Sequence, residues 1–555
     1  MHKRMKTKNS NKRRIVFSII IGIIFTLISY FGTKLLDANS GEYKPTYSFL
    51  DIIFSLIILT VSSFIAYKFI DKKFSLKKDK KFELKKYQIL IPLMWITIVT
   101  FLATFPGHYP WDTQFMYEAY NTGNLNTHYS PLVCIVIGLF IDFGKFIGSV
   151  NISYAIMMIL QFTFVNIVLT EAIYYCSNKL QKKSFTVFAT VFFIIHPLVQ
   201  ALLIRSGQDT VFGGLFLLIC LELLMLVEDE KNFFKKREKY VILFTLIFLL
   251  CAIRNNGIYV LIPVIISGFF ILKNKTIRKK FLIAFSIPIA FSLGYKYLLI
   301  YNLVPWKDSI YRETLNVPVM QIARAMHFNP DDDIKKELEQ YFCKTCVTWA
   351  NTTWSWELYN KSSGISDPYK DHMYVEEIEK DPIKFFNLWA KIGYKNPVEY
   401  IEAPFVTMVS LYHPYAKYTY IDGEEEGDNN YKKMSYQWHQ YVDSYYFDYY
   451  FGEINTESFI PLYQSILYGL IRKQEWSRIP VLHHLWRATF TTYLFLLSTI
   501  FALYRKKYKY LLPLSLVFGL LITVFLSPVA LFRYIFPAVL CTPIMIYIFI
   551  KSIIK

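Results

Sequence analysis

Apolar residues run along this chain in blocks of about 20, separated by short polar connections, instead of alternating as on a half-buried strand. Twelve blocks read as helices that cross a bilayer: residues 15–36, 49–70, 88–105, 152–176, 185–204, 209–227, 240–253, 257–272, 282–301, 485–503, 511–527 and 534–551. An even number returns both termini to one side. Segment 131–147 is also apolar but contains Asp142 and Lys145, and we read it as a helix lying in the interface or re-entering it. The pattern predicts an all-α membrane protein of about 12 transmembrane helices with interfacial helices and a mostly helical external domain.

Lysine and arginine decide the orientation, because short basic connections stay on the cytoplasmic side. Basic clusters fall in 1–14, 71–87, 177–184, 228–239, 273–280 and 504–510, which is every second connection provided that 131–147 does not cross. Both termini are therefore expected in the cytoplasm of a multi-pass cell-membrane protein. The first block is longer than a signal-peptide core and lacks a small-residue cleavage pattern, so it is expected to be a retained anchor. Four units follow from this layout: a two-helix anchor over 1–87, a membrane module over 88–301, an extracytoplasmic domain over 302–484 and closing membrane helices over 485–555.

Composition changes the picture in one respect. A net charge of +19 on 555 residues would suggest nucleic acid if the basic groups shared one soluble face, but they lie in the short connections. The external region 302–484 has 26 acidic against 18 basic residues, so no nucleic-acid partner is expected and the bilayer is the partner of the positive charge. Residues 331–343 and 374–394 carry helical spacing. Stretches 385–412 and 459–478 alternate aromatic and charged residues, as on a helix resting on a membrane or as on an ordinary packing face, and 421–430 reads as an acidic loop. Five cysteines lie in or beside apolar blocks as small apolar residues. Cys343 and Cys346 form a C-x-x-C pair in the external region, compatible with a local disulfide and lacking the second pair that zinc requires.

Candidate chemistry gathers at the ends of the blocks. Phe105-Pro106-Gly107-His108-Tyr109-Pro110-Trp111-Asp112-Thr113 and Asn126-Thr127-His128-Tyr129-Ser130-Pro131 place a carboxylate and two imidazoles where a block ends. Arg205, Gln208 and Asp209 form the next external corner, Arg254 and Asn255 another, and Arg533 with Tyr534 the last. Arg312 and Gln321 follow the block that ends near 301. Each signal has a plainer alternative: Arg205 and Asp209 at four residues' spacing make an ordinary ion pair, and Arg533 a snorkelling side chain. Transporters tend to place such groups near the midplane, whereas here they share one face.

At these residues the chain resembles the GT-C superfamily of polytopic glycosyltransferases, specifically a bacterial multi-pass branch. The resemblance covers roughly 88–330 and 527–551. It rests on Asp112 in Pro110-Trp111-Asp112, on His128-Tyr129-Ser130-Pro131-Leu132, where one proline of the family's pattern is missing and the histidine is displaced, on Arg205-Ser206-Gly207-Gln208-Asp209, on Arg254-Asn255-Asn256-Gly257 and on the final Arg533-Tyr534. What it implies is an inverting transferase that moves a sugar from a polyprenyl-phosphate-linked donor to a cell-envelope glycan, lipid or protein on the outer face. Asp112 would be the catalytic carboxylate or help hold a divalent metal, Mg or Mn. His108, His128, Arg205, Asp209, Arg254, Asn255, Arg312, Gln321, Arg533 and Tyr534 would line the substrate site, with guanidinium groups on the departing phosphate. A flippase or transporter for a lipid-linked glycan, or a non-catalytic envelope-assembly protein, are the other classes the pattern admits.

Overall fold

The computed structural model describes residues 2–38, 44–70, 78–79, 82–305, 309–343, 346–347, 353–354, 373–414, 416, 454, 456–471, 479–528 and 531–554. These residues form an all-α protein, in which the one strand pair among the described residues is Cys346–Val347 antiparallel to Thr353–Trp354. Six helices are long and apolar enough to cross a membrane: Asn11–Asp37, Phe49–Tyr67, Val150–Leu180, Gln208–Glu228, Lys275–Leu303 and Tyr508–Phe525. Two further pairs meet the same test together but are bent, Lys183–Ile195 with Pro197–Leu203 by 70° and Phe532–Leu540 with Thr542–Ile553 by 53°. Counting each pair as one span gives eight. The other four apolar blocks form Tyr87–Ala103, Glu238–Ile253, Gly257–Ile271 and Ala488–Tyr504, of 17, 16, 15 and 17 residues. At ~1.5 Å per residue they reach roughly 22–26 Å, short of a ~30 Å hydrocarbon layer.

The bend within the 185–204 block has a local cause. Pro197 cannot continue the preceding helix, and it takes the first position of the next one. The His196 ring accepts from Val199 N at 3.4 Å, and Gln200 Nε2 donates to the freed Phe193 carbonyl at 2.9 Å. Thr97 Oγ1 donates to Gln200 Oε1 at 3.0 Å and receives Asn166 Nδ2 at 3.2 Å, so these buried polar groups satisfy one another inside the apolar bundle.

Helix Gln208–Glu228 is the centre of the bundle. It packs against Val150–Leu180, Glu238–Ile253, Leu511–Phe525 and Phe532–Leu540. A Cβ at Gly214 would lie 2.6 Å from the Phe164 ring, so the absence of a side chain sets how closely the helix carrying Phe164 approaches. At one end of the bundle the basic connections meet: Lys182 Nζ donates to Asp79 at 2.9 Å, Lys239 Nζ holds Glu222 at 2.7 Å, and Lys509 lies 3.3 Å from Glu228. Asp209 stands at the other end of that same central helix, so the polar corners and the basic connections occupy opposite ends.

Helix Pro131–Phe146 packs against Trp111–Asn121 and Val150–Leu180. Its buried residues Cys134, Ile137, Gly138, Ile141 and Gly144 recur at helical spacing, while Leu139, Phe143 and Phe146 are exposed. Asp142 accepts from Tyr120 Oη and Lys145 donates to Tyr117 Oη, both at 2.7 Å, so its two charges are held by the neighbouring helix.

The region after residue 309 has its own core, built from Leu315, Val319, Ile322, Leu338, Ile378, Phe385 and Ile392. Expected helix 331–343 is shorter, Asp332–Leu338, with Asp331 capping Ile334 N. Expected helix 374–394 is two, Val375–Lys380 and Pro382–Lys395, because Pro382 starts a new helix that Asp381 caps. Fully buried Arg324 pairs with Glu402 at 2.5 Å, and Glu402 also accepts from Tyr47 Oη at 2.6 Å. With Lys44 at 2.6 Å from Glu399, this ties the connection of the N-terminal hairpin to the region's core. Cys343 is disulfide-bonded. The acidic stretch 421–430 lies outside the described residues.

Candidate functional site

Two chain corners are zipped together at the end of the bundle. The peptide between Phe105 and Pro106 is cis, and Gly107 takes a φ of +113° that an L side chain rarely adopts. The chain then runs beside Ile204-Arg205-Ser206. His108 N donates to Ile204 O at 2.8 Å and Ser206 N to His108 O at 3.1 Å. Tyr154 Oη donates to the same His108 carbonyl at 2.7 Å, and Gln161 Nε2 spans the carbonyls of Leu203 and Arg205 at 3.2 and 2.8 Å. Thr113 and Ser206 hydroxyls close the seam at 2.8 Å. Helices Trp111–Asn121 and Gln208–Glu228 start beside this seam, and Asp112 and Asp209 occupy their first turns. A carboxylate is favoured there by the exposed N–H groups and the macrodipole.

Three guanidinium groups meet these two carboxylates. Asp112 Oδ2 accepts from Arg533 Nη1 and lies 3.9 Å from Arg205 Nη2. Asp209 Oδ1 accepts from Arg254 Nη1, while its Oδ2 lies 3.7 Å from Arg205 Nη1 and 3.9 Å from Arg533 Nη1. The Tyr534 ring lies 5.1 Å from both the Arg254 and Arg533 guanidinium carbons, a cation–π contact with each. Four corners that are far apart in sequence therefore make one cluster, with three positive charges against two negative.

The cluster has an inner and an outer side. The Arg205 side chain is 3% exposed and that of Asp209 11%, whereas Asp112 is 34% exposed. Burial alone would raise the Asp112 pKa, but Arg533 and then Arg205 outweigh it and hold the carboxyl at about 2. His108 is buried, and burial together with Arg205 pushes its imidazole down to about 3, so it is neutral.

The candidate residues divide accordingly. Asp112, Arg205, Asp209, Arg254, Arg533 and Tyr534 come together. His108 contributes its backbone to the seam, with its ring buried. His128 stands 3.7 Å from Glu313, and Asn255 Nδ2 donates to the carbonyls of Thr127 and His128 at 3.1 and 3.2 Å. Ser130 donates to Ala252 O at 2.7 Å, so the 126–130 loop is fastened to the Arg254 corner. Arg312 adjoins Glu313 on the short helix Ile310–Thr314, the element that meets His128.

Gln321 is bonded within the 309–407 region. Its amide donates to Tyr400 O at 2.9 Å and accepts from Trp389 Nε1 at 3.0 Å, which commits both ends to packing of the 309–407 region. Sequence reasoning overlooked Glu313, Tyr154 and Gln161. A glutamine within an apolar block was the available signal for Gln161; Glu313 had none beyond its neighbour Arg312.

The donor set fits an anion better than a divalent cation. Both carboxylates already hold guanidinium groups, and among the described residues no three His, Cys, Asp or Glu side chains assemble as metal ligands. An expected metal role for Asp112 would require Arg533 to withdraw first.

The chain belongs to DUF6020, a family of unknown function, whose match spans residues 108–553 and so takes in every member of the charged cluster. No curated protein and no solved structure matches it.

Proposed function

We propose that this protein is an inverting membrane glycosyltransferase of GT-C type, taking a sugar from a polyprenyl-phosphate-linked donor on the outer face of the cell membrane and passing it to a cell-envelope acceptor. In this reading the four shorter apolar helices also cross, giving twelve spans, with both termini cytoplasmic and 302–484 external. The observation that carries it is the meeting of Asp112 with Arg205 and Arg533, and of Asp209 with Arg254, at the bundle end opposite the basic connections. Guanidinium groups match phosphate oxygens, and a position at the membrane edge suits a substrate with one end in lipid.

The chemistry follows from these groups. The acceptor hydroxyl oxygen bonds to the sugar's anomeric carbon from the face opposite the phosphate, and its proton passes to the Asp112 carboxylate. The carbon–oxygen bond to phosphate breaks, and its electron pair leaves with the phosphate. Charge accumulates there as the bond breaks, and Arg533, Arg205 and Arg254 supply fixed positive charge to meet it. In this reading His128, which pairs with Glu313 and lies on the loop fastened to the Arg254 corner, contributes to substrate binding.

A second reading, a flippase for a lipid-linked glycan, has its own support in the two bent helix pairs, since broken helices line many transport sites. Membranes containing the protein and a radiolabelled polyprenyl-phosphate sugar separate the two. A transferase releases polyprenyl phosphate, and Asp112→Asn abolishes that release at unchanged protein level. A flippase moves the intact donor between leaflets without releasing it, and such a result overturns the transferase reading.

A further inference from the structure

We propose that Asp112 is the resident counter-ion of a phosphate subsite, and that the phosphate of a lipid-linked donor takes its place on Arg533 and Arg205, leaving the displaced carboxylate facing the acceptor. The inference rests on the transferase reading and adds an order of events to it.

The argument starts from shared donor atoms. Arg533 Nη1 is hydrogen-bonded to Asp112 Oδ2 and lies 3.9 Å from Asp209 Oδ2, so a phosphate oxygen aimed at that nitrogen meets a carboxylate already in place. Arg205 is in the same position, with Nη2 toward Asp112 and Nη1 toward Asp209. A phosphate oxygen that takes the N–H of Arg533 now donated to Asp112 Oδ2 exchanges one anion for another, and in that exchange the carboxylate yields.

The two carboxylates are held unequally. Asp209 meets all three arginines through both of its oxygens and is nearly buried. Asp112 meets two arginines, both through Oδ2, and its side chain is three times as exposed, 34% against 11%. Asp112 is therefore the group that leaves, while Asp209 keeps Arg254 in position. When it leaves, Arg533 remains beside Asp209 and keeps a fixed orientation toward the incoming phosphate.

Two consequences follow. A carboxylate paired with two guanidinium groups is a weak base, and separation from them restores its basicity, so acceptor activation waits for the donor. The two carboxylates also offset part of the cluster's positive charge in the absence of substrate.

Direct binding tests this. Purified full-length wild type and Asp112→Asn are titrated with a short-chain polyprenyl phosphate and, separately, with inorganic phosphate. The exchange predicts that Asp112→Asn binds the lipid phosphate tighter, by roughly fivefold or more, the scale of a half-buried ion pair, although it is inactive. Asp112→Ser serves as the second variant and should tighten likewise, while Asp209→Asn, which removes the carboxylate that orients all three arginines, should not. Tightening with the lipid alone assigns the subsite to the lipid headgroup; tightening with both ligands assigns it to the phosphate group as such. Equal or weaker lipid-phosphate affinity in Asp112→Asn and Asp112→Ser, with sugar transfer lost, overturns the exchange and leaves Asp112 as a base in the transferase reading. Absence of lipid-phosphate binding by every form overturns both.

Discussion

Acidification should weaken the fold through His108, and the size of the effect follows from its surroundings. The imidazole is 3% exposed, and burial followed by the charge on Arg205 holds its pKa at about 3, whereas in the unfolded chain it titrates near ~6.5. The folded state refuses a proton that the unfolded state accepts, so this stabilisation is complete above about pH 6.5 and is lost progressively as the pH falls toward 3. The slope inside that window is ~1.4 kcal/mol per pH unit, which integrates to about 2 kcal/mol between pH 7 and pH 5. Equilibrium unfolding in mild detergent at pH 7, 6 and 5, on wild type and on His108→Gln, measures it. The substitution carries a constant penalty at every pH, and only the difference in slope matters. His413, pushed down to about 4 by burial and Arg487, adds a drop that both proteins share. Wild type should lose about 2 kcal/mol more than His108→Gln over this range. Parallel curves would refute the account of the buried neutral ring.

Three further outcomes are expected. Gly107→Ala places a Cβ 2.8 Å from Met158 Cγ and 2.9 Å from Ile204 O at a φ of +113°, so it should cost about 2 kcal/mol or more in the same unfolding assay and reduce donor turnover by moving Asp112. Arg324→Met leaves Glu402 charged and buried and should destabilise by about 3–5 kcal/mol, whereas the double change Arg324→Met with Glu402→Leu should recover much of that; thermal unfolding compares the three. Gln321→Ala removes two packing hydrogen bonds and should lower stability by about 1–2 kcal/mol without altering the donor KM; a raised KM would return Gln321 to the substrate site.

What could be read in the sequence and what could not have different physical origins. Lipid demands long uninterrupted apolar helices, so the blocks that became Val150–Leu180 and Gln208–Glu228 were visible in composition alone. The corners were visible because a short turn between two apolar helices has few places to put Asp209 or Arg254 except at the bundle end, and Asp112 follows closely where the 88–105 block stops. The 70° bend at Pro197 was hidden: proline marks a break, but the angle depends on how His196 and Gln200 re-satisfy the freed backbone. Pairings were hidden too. Arg205 and Asp209, four residues apart, suggested a self-contained ion pair, yet Asp209 holds Arg254 more closely than it holds Arg205. The partners of Gln321 were hidden because Trp389 and Tyr400, which satisfy its amide, belong to a core whose assembly leaves no short-range trace.

The same pairings hold three cations together at one end of the bundle, as the proposed phosphate subsite requires. Arg205, Arg254 and Arg533 brought within reach of one carboxylate repel one another, and the repulsion is screened less beside lipid than in open water. Asp209 and Asp112 offset that repulsion, and each comes from a different corner than the arginine it holds most closely. Closing the corners against each other and assembling the cluster are thus one event, because displacing any corner breaks at least one of these pairings. Substitutions within the cluster should accordingly be non-additive, the second loss costing less than the first once its partner is gone. In the exchange proposed above, the loosest of these internal anions is the one a substrate phosphate replaces, so on that proposal the interactions that stabilise the free protein also prepare it for its ligand.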